Sequence, residues 1–362
     1  MKAIVLEEPR AGAVAYRTDV EKPRPGRGEV LIRVSAVAIC GTDRHIYDWD
    51  PSMQDLITPP LIPGHEFCGE VAEIGPNCPA RIAVGDFVSA EMHVVCGVCK
   101  QCQTGQGHVC ANTLIYGIQR PGAFAEFVKV PATNIIPLDR DRIPVRIAAF
   151  LDALGNAVHT AFKVDFAGRH VAITGFGPIG AMAAAIAHHC GAGRITITDV
   201  GAFALEQARE WAHEMARGTR NSGIPIDVLD TGNDQREESI WHILQQGGAD
   251  VVWEMSGAPG AINDALRMTT AGGHIVLLGL PRNREITLDY YKSDLIFRGL
   301  TLHGIIGRKM YDTWYRMLAL LGAGLSVDHV VGLEIPLSEF SRGMDTFRAG
   351  RCMKVVLYPD KE

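Results

Sequence analysis

One stretch near the middle of this 362-residue chain constrains the fold more than any other. A short apolar run, His170–Thr174, leads into Gly175-Phe-Gly177-Pro-Ile-Gly180, and apolar residues at helical spacing follow. Pro178 suits the first turn of a helix. The next β-prone run, Arg194–Thr198, ends in Asp199. Strand, glycine turn, helix and strand in this order predict a βαβ unit of a parallel sheet.

The glycines of this unit point to a dinucleotide site. The pattern Gly175-x-Gly177-x-x-Gly180 lets the backbone approach a pyrophosphate, which then lies at the positive N-terminus of the helix. Asp199 is placed to accept hydrogen bonds from the ribose hydroxyls, and its charge would repel a 2′-phosphate. A tight turn in some other α/β fold is the alternative, but the strand before the glycines and the helix after them favour a dinucleotide site. The charge of Asp199 favours NAD over NADP.

The remaining chain suggests three regions. Residues 1–153 are short β-prone runs cut by Gly and Pro, including one over Arg81–Ser89, and predict a compact, barrel-like β-rich domain. Residues 154–297 alternate strands and helices and predict a doubly wound parallel sheet, with a long polar stretch over about 211–248 that is hard to assign. Residues 298–362 predict two helices, one with Ser338 as N-cap, and a last strand, and are expected to return to the first domain. The fold class is therefore α/β.

Four cysteines within a short lobe form the strongest local motif. The spacing is Cys96-x2-Cys99-x2-Cys102-x7-Cys110, within a lobe of about residues 93–112. Four thiolates can close a tetrahedron around Zn²⁺ and leave no open position, which is typical of a structural site. An iron–sulfur cluster is the alternative, but the fourth cysteine comes too late for the ferredoxin pattern and no proline follows it.

A second set of possible metal ligands lies earlier in the chain. An apolar strand delivers Cys40 at its tip, Gly41 lets the chain turn, and Thr42 and His45 follow. Pro63-Gly-His65-Glu66 comes next. Cysteine, histidine and a carboxylate with one position open are the ligands of a catalytic zinc.

Each of these residues alone would more simply be a buried cysteine or a hydrogen-bonded histidine, and only the combination favours a metal. Two carboxylates compete as third ligand, Glu66 beside His65 and Asp152 near the predicted domain boundary. The residues themselves do not decide between them.

Composition excludes several classes of protein. The net charge of −6 and the absence of a basic block argue against a nucleic-acid partner. No apolar run reaches the roughly 18 residues of a membrane span, and the N-terminus becomes charged too early for a signal peptide. These features, with clustered cysteines, predict reduced thiols and bound metal in the cytoplasm, without a membrane partner.

The motifs resemble those of the zinc-containing medium-chain alcohol dehydrogenases. The zinc signature is Gly64-His65-Glu66-x2-Gly69-x5-Gly75, and the four-cysteine lobe matches as well. The closest likeness is to members that oxidise L-threonine. It is carried by Ala38–Asp50, Gly155–Ala161, Gly177–Gly180, Glu254–Pro259, and Gly304–Met310 with Thr313-Trp314.

The resemblance implies a GroES-like catalytic domain, a Rossmann NAD-binding domain and a homotetramer. It implies one catalytic zinc on Cys40, His65 and Glu66, with Asp152 nearby, and one structural zinc. Thr42 and His45 would relay the substrate proton. His93 is a candidate for lining the substrate site, although a surface histidine is an equal reading. The positions that align with NAD contacts are Gly175, Gly177, Ile179, Gly180, Asp199, Leu278, Gly279, Leu280, Ile305 and Ile306.

The expected reaction is oxidation of the secondary hydroxyl of L-threonine to 2-amino-3-oxobutanoate, with hydride transfer to NAD. The alternatives are an NAD-dependent dehydrogenase of a polyol, a vicinal diol or an amino-cyclitol, and a noncatalytic nucleotide-binding relative. Ala204 departs from the threonine enzymes, which often have a basic residue there. This change weakens the expected adenosine contact.

Overall fold

The computed structural model describes residues 1–218, 220–281 and 285–361, which form two compact units. The first unit consists of residues 1–153, 309–322 and 330–362, and the second of residues 154–308 and 323–329. The chain therefore passes from one unit to the other four times.

The N-terminal part of the first unit is mainly β-structure. Its strands are β1 Ala3–Leu6, β2 Val14–Arg17, β3 Glu29–Ala38, β4 Glu66–Ile74, β5 Phe87–Ala90, β6 His93–Val94, β7 Leu114–Ile115, β8 Phe127–Pro131 and β9 Ile135–Pro137. Four short helices accompany them, α1 Gly41–Tyr47, α2 Pro51–Gln54, α3 Lys100–Gln103 and α4 Val145–Ala148.

Helix α5, Leu151–Ala161, leads into the second unit, whose elements alternate. The strands are β10 His170–Thr174, β11 Arg194–Asp199, β12 Ile226–Asp230, β13 Ala249–Glu254, β14 Thr269–Leu277 and β15 Thr301–Gly304. The helices are α6 Pro178–His189, α7 Ala202–Arg217, α8 Arg236–Gln245 and α9 Pro259–Met268. The chain closes with α10 Asp312–Gly322, β16 Val331–Pro336, α11 Phe340–Arg348 and β17 Lys354–Tyr358.

Strand β3 organises the first unit. It pairs antiparallel with β4, β8 and β17, in a sheet of order β16-β17-β3-β4-β5-β9 with β8 also on β3. Its alternating side chains Val30, Ile32 and Val34 are fully buried, each contributing about 1.5–3 kcal/mol of burial free energy. The pairing of β17 with β3 brings the C-terminal strand beside the strand that leads to Cys40.

The strand predicted over Arg81–Ser89 is shorter in the structure. Gly85 has a φ of +93°, and the Asp86 carboxylate accepts a hydrogen bond from the backbone N–H of Ala83. This turn keeps the chain out of the sheet until Phe87, where β5 begins. Ser338 is likewise not an N-cap, because Glu339 occupies the N-cap position of α11 and Ser338 lies in the preceding 3-10 turn.

The second unit contains a six-stranded parallel sheet of order β12-β11-β10-β13-β14-β15. The order reverses between β10 and β13, so the carboxyl ends of those strands border the crevice where α/β sheets bind ligands. The polar stretch of uncertain assignment contains the end of α7, strand β12 and helix α8.

The glycine turn after β10 explains how α6 packs on this sheet. Gly175 has a φ of +92°, a conformation that favours glycine. A Cβ at Gly180 would lie 1.9 Å from the carbonyl oxygen of Gly175, so any other residue there would push α6 away from the turn. None of the helices in the described ranges has both the length and the apolar character required to cross a membrane.

Candidate catalytic metal centre and nucleotide site

Cys40 lies between a strand and a helix. Strand β3 ends at Ala38, and Cys40 is the N-cap residue of α1. The Asp43 Oδ2 atom accepts a hydrogen bond of 2.9 Å from the backbone N–H of Cys40. Gly41 is thus the first helical residue and not the turn predicted from the sequence. Because Cys40 is the N-cap residue, helix α1 fixes the direction of its thiol.

His65 and Glu66 reach Cys40 through the pairing of β3 with β4. Glu66 opens β4 and lies opposite Ala38 in the register. The Cys40 Sγ atom, a His65 ring nitrogen and a Glu66 carboxylate oxygen all lie within 4.8 Å of one another. The structure therefore brings together the three predicted ligands of the catalytic zinc.

Lys354 is an additional member of this site that sequence reasoning missed. Its Nζ atom donates to Glu66 Oε2 at 2.5 Å and to the carbonyl oxygen of Ile39 at 3.2 Å, and both side chains of the pair are buried. Burial raises the pKa of Glu66, and the Lys354 charge opposes that rise. Because β17 comes from the far end of the sequence, no local motif could have identified this lysine.

The charges around Cys40, His65 and Glu66 favour binding of a cation. Glu66 Oε1 is buried with no hydrogen-bond partner in the described part of the chain. Burial alone would lower the pKa of His65, but the negative charges of Asp43 and Cys40 raise it to about 10. A site that attracts a proton this strongly and holds an unsatisfied carboxylate oxygen suits a divalent metal on cysteine, histidine and carboxylate ligands.

Asp43 supports His65 and was also missed by sequence reasoning. Its Oδ1 atom lies 3.8 Å from His65 Nδ1, and both side chains are almost fully buried. Burial raises the pKa of Asp43. This distance is too long for a hydrogen bond, and neither atom has a hydrogen-bond partner in the described part of the chain, so Asp43 acts on His65 through its charge.

Asp152, the competing third ligand, lies in the first turn of α5. It is 5% exposed and close enough for its charge to act on both His65 and Glu66. The compact three-ligand cluster, however, contains Glu66 and not Asp152. This geometry favours Glu66 in the arrangement seen here.

Thr42 and His45 follow Cys40 on α1. The Thr42 hydroxyl is 4.0 Å from Cys40 Sγ, and the His45 side chain is 42% exposed. His45 Nδ1 lies 3.3 Å from Asp50 Oδ2. Hydrogen bonds from the side chain and backbone of Ser52 lower the pKa of Asp50 to about 2, so this carboxylate is charged. A charged acceptor favours the proton on His45 Nδ1 and leaves Nε2 as a base.

The four cysteines of the second predicted metal site are also together. Their sulfur atoms lie within 4.8 Å of one another, with separations of 3.5 Å for Cys99–Cys102, 3.7 Å for Cys99–Cys110 and 3.6 Å for Cys110–Cys96. A tetrahedron with Zn–S bonds of about 2.3 Å has sulfur–sulfur edges of about 3.8 Å. Backbone N–H groups of Val98 and Cys99 lower the pKa of Cys96 to about 6, which favours the thiolate. The cluster fits a structural zinc.

Replacing Cys99 with serine is expected to remove this structural zinc. The zinc content should fall from about two to about one per chain, and the lobe should unfold locally because metal binding supplies its folding free energy. Metal analysis of the purified protein and limited proteolysis of the lobe would measure both effects. Cys190→Ser, outside both clusters, is the control. A Cys99→Ser protein that keeps about two zinc ions would contradict this assignment.

The predicted nucleotide-binding residues lie at the carboxyl ends of the parallel strands. Gly177 is the N-cap residue of α6 with no side-chain cap, and a Cβ there would meet nothing within 4 Å, so the backbone is open to a pyrophosphate. Asp199 ends β11, and its Oδ2 accepts from the Phe176 N–H at 2.6 Å. Among the other predicted contacts, Ile179 lies in the first turn of α6. Leu278, Gly279 and Leu280 follow β14, and Ile305 and Ile306 follow β15.

His93 is not a surface residue. It is 5% exposed, and its Nδ1 lies 2.6 Å from Glu91 Oε1. Glu91 Oε2 accepts from the indole N–H of Trp314 at 2.8 Å, and Asn134 donates to the carbonyl oxygen of His93. The alternative of an exposed histidine is therefore wrong, and a role in lining the substrate site stays a prediction.

Comparison with protein families agrees with this site and fold. The model for the alcohol dehydrogenase GroES-like domain matches residues 26–140, and that for zinc-binding dehydrogenases matches residues 178–323. The chain belongs to the zinc-binding alcohol dehydrogenase family. The predicted α/β fold class and the assignment as a zinc- and nicotinamide-dependent oxidoreductase are confirmed.

Two individual relatives and one solved structure are similar to this chain over nearly its whole length. The chain is 43% identical to an L-threonine 3-dehydrogenase of Caldanaerobacter subterraneus subsp. tengcongensis, covering 99% of both chains. It is 42% identical to an L-threonine 3-dehydrogenase of Rhizobium rhizogenes, covering 99% of this chain and 98% of the relative. Among solved structures, alcohol dehydrogenase TADH from Thermus sp. ATN1 has 27% identity and a TM-score of 0.83 with 99% of both chains covered.

Proposed function

We propose that this enzyme oxidises the secondary hydroxyl of L-threonine to 2-amino-3-oxobutanoate with NAD as the hydride acceptor. The observation that carries the proposal is the set of Cys40, His65 and Glu66, assembled in a chain that is 43% identical to an L-threonine 3-dehydrogenase over its whole length. The family resemblance further supports a homotetramer in the cytoplasm.

The residues of the first unit prepare the hydroxyl for hydride loss. When bound, zinc acts as a Lewis acid that lowers the pKa of a coordinated hydroxyl, and NAD accepts the hydride. Cys40, His65 and Glu66 would hold the metal, with Lys354 orienting Glu66 through a hydrogen bond and the charge of Asp43 acting on His65.

The proton leaves along α1. Thr42, whose hydroxyl lies 4.0 Å from Cys40 Sγ, accepts it and passes it to Nε2 of the partly exposed His45, which Asp50 keeps in the correct tautomer.

Replacing Thr42 with valine is expected to lower kcat/KM about 10²–10⁴-fold, because a positioned proton carrier contributes that much. Zinc content should be unchanged, since the nearest metal ligand, Cys40, is intact. Steady-state kinetics across pH would measure the effect. Thr346→Val is the matched control, because the Thr346 hydroxyl donates to the carbonyl oxygen of Arg342 within α11. Unchanged turnover in Thr42→Val would exclude this route.

The second unit would hold NAD through the glycine turn and Asp199. Replacing Asp199 with alanine is expected to weaken NAD and relax the discrimination against NADP, because a carboxylate repels the 2′-phosphate. The ratio of kcat/KM values for NAD and NADP should move toward one. Asp227→Ala, on β12 and paired with Arg194, tests for a general loss of negative charge. An unchanged ratio in Asp199→Ala would remove this residue from the ribose site.

The substrate is assigned by comparing the rates at which the enzyme oxidises candidate alcohols. Purified, zinc-replete enzyme with NAD would be offered L-threonine, butane-2,3-diol, sorbitol or an inositol, and NADH formation followed by absorbance. A strong preference for L-threonine that is lost on chelation supports the proposal. Activity only on diols or polyols would keep the mechanism and change the substrate. If none of them is oxidised although NAD still binds, the enzyme has a different substrate or, as the second choice, is a noncatalytic nucleotide-binding relative.

A further inference from the structure

A buried carboxylate lies at the carboxyl edge of the six-stranded parallel sheet. Glu254 ends β13, directly beside the point where the strand order reverses, and its side chain is 0% exposed. Burying a charged group is costly unless hydrogen bonds replace the water that it loses. Glu254 is not among the positions that align with NAD contacts, so the sequence analysis assigns it no role.

The carboxylate of Glu254 holds the loop that follows its own strand. Its Oε1 atom accepts hydrogen bonds from the Ser256 N–H at 2.8 Å, the Ser256 hydroxyl at 2.5 Å and the Gly257 N–H at 2.9 Å. The Thr174 hydroxyl, at the end of β10, is a more distant donor at 3.4 Å. Several donors on one oxygen suit an ionised carboxylate, which can only accept hydrogen bonds.

The backbone of Glu254 holds a second segment, the turn after β14. Its carbonyl oxygen accepts hydrogen bonds from the N–H groups of Leu278 and Gly279 at 3.0 and 3.1 Å. The loop and the turn are in close contact, because a Cβ at Gly279 would lie 2.0 Å from the Gly257 nitrogen and 2.6 Å from Glu254 Oε2. Glu254 therefore sets the positions of both segments.

The topology of the sheet indicates which part of NAD these segments would contact. A doubly wound sheet consists of two mononucleotide-binding halves, which here are β10–β12 and β13–β15. Asp199 follows the second strand of the first half, and Leu278–Leu280 follow the second strand of the other half. If Asp199 holds the adenosine ribose, the loop after β13 and the turn after β14 face the nicotinamide nucleotide.

We propose that Glu254 is a positioning residue for the nicotinamide nucleotide of NAD. Its side chain fixes the loop after β13, its backbone fixes the turn after β14, and the nucleotide lies on these two segments. Oε2 is buried and has no hydrogen-bond partner in the described ranges, so the carboxylate acts through the segments that it holds and does not touch the cofactor. The inference rests on the proposed NAD site and is independent of which alcohol is oxidised.

The test compares the binding of NAD with the binding of AMP, which has no nicotinamide nucleotide. Both would be measured by isothermal titration calorimetry on the full-length, zinc-loaded enzyme. Glu254→Leu is expected to weaken NAD about 10–100-fold, the loss typical of hydrogen bonds to a charged group, and to leave AMP binding unchanged. Glu254→Gln keeps an acceptor oxygen for Ser256 and Gly257 and should recover part of the NAD affinity.

A second variant keeps the inference testable if Glu254→Leu does not fold. Ser256→Ala removes one donor to Glu254 and should weaken NAD about tenfold without weakening AMP. Asp264→Asn is the matched control, because Asp264 is also a buried carboxylate of the second unit and pairs with Arg236. It should lower the unfolding temperature and leave the affinities for NAD and AMP at the parent level.

Two results would overturn the inference. One is parent affinity for NAD in Glu254→Leu or, if that variant does not fold, in Ser256→Ala. The other is an equal loss of NAD and AMP binding, which would show general damage to the sheet and no particular effect on the nicotinamide half. Failure of the parent enzyme to bind either NAD or AMP would contradict the proposed function as well.

Discussion

Replacing Cys40 with serine is expected to reduce L-threonine oxidation about 10³-fold or more, while NAD binding stays measurable. The cysteine supplies the thiolate of a three-ligand cluster with His65 and Glu66. A serine hydroxyl is a far weaker ligand for zinc, and without the metal the alcohol must ionise unaided, against a hydroxyl pKa that metals lower by many units. Turnover, zinc content and NAD binding would be measured on the same preparation.

The matched control is Cys352→Ser, a free thiol in the same unit outside both cysteine clusters. It should keep about two zinc ions per chain and parent activity, as two intact metal sites require. If Cys40→Ser retained activity, the zinc mechanism would be wrong. If it lost NAD binding as well, the substitution would have disturbed more than the metal site.

Replacing Lys354 with methionine is expected to lower both the free energy of unfolding and the affinity of the site for zinc. Lys354 is 2% exposed and Glu66 is 0% exposed, so the variant leaves a buried carboxylate without its cation. Removing one partner of a buried pair costs about 3–5 kcal/mol of unfolding free energy. Loss of an outer partner of a metal ligand lowers metal affinity or activity about 10–100-fold.

Urea unfolding of the zinc-free and zinc-loaded protein would separate these two effects. The destabilisation should be larger without metal, because zinc can supply the positive charge that Lys354 no longer provides. Lys354→Arg keeps the charge and should recover part of both losses, whereas Lys361→Met, near the chain end, should change neither. Equal stability of Lys354→Met and the parent would show that the pair contributes little.

Some parts of the sites consist of residues close together in the sequence, and others consist of residues far apart in it. The glycine turn at Gly175–Gly180, the ligands Cys40 and His65 with Glu66 or Asp152 as the third, and the four-cysteine lobe were predicted from motifs of residues near one another in the chain. Their chemistry depends on residue type and spacing, which a sequence displays directly.

Only the tertiary structure revealed Lys354 and Asp43 as neighbours of the predicted metal ligands. Lys354 meets Glu66 across 288 positions of sequence through the pairing of β17 with β3. Asp43 looks like an ordinary helix-cap residue until the pairing of β3 with β4 places His65 beside it.

The sequence by itself therefore determined the class of fold, the two metal sites and the cofactor, since these follow from local patterns. The structure decided which buried charges surround the metal and that His93 is enclosed by Glu91 and Asn134. The physical reason is that burial and electrostatic pairing depend on contacts between distant segments, and those contacts exist only once the sheets have formed.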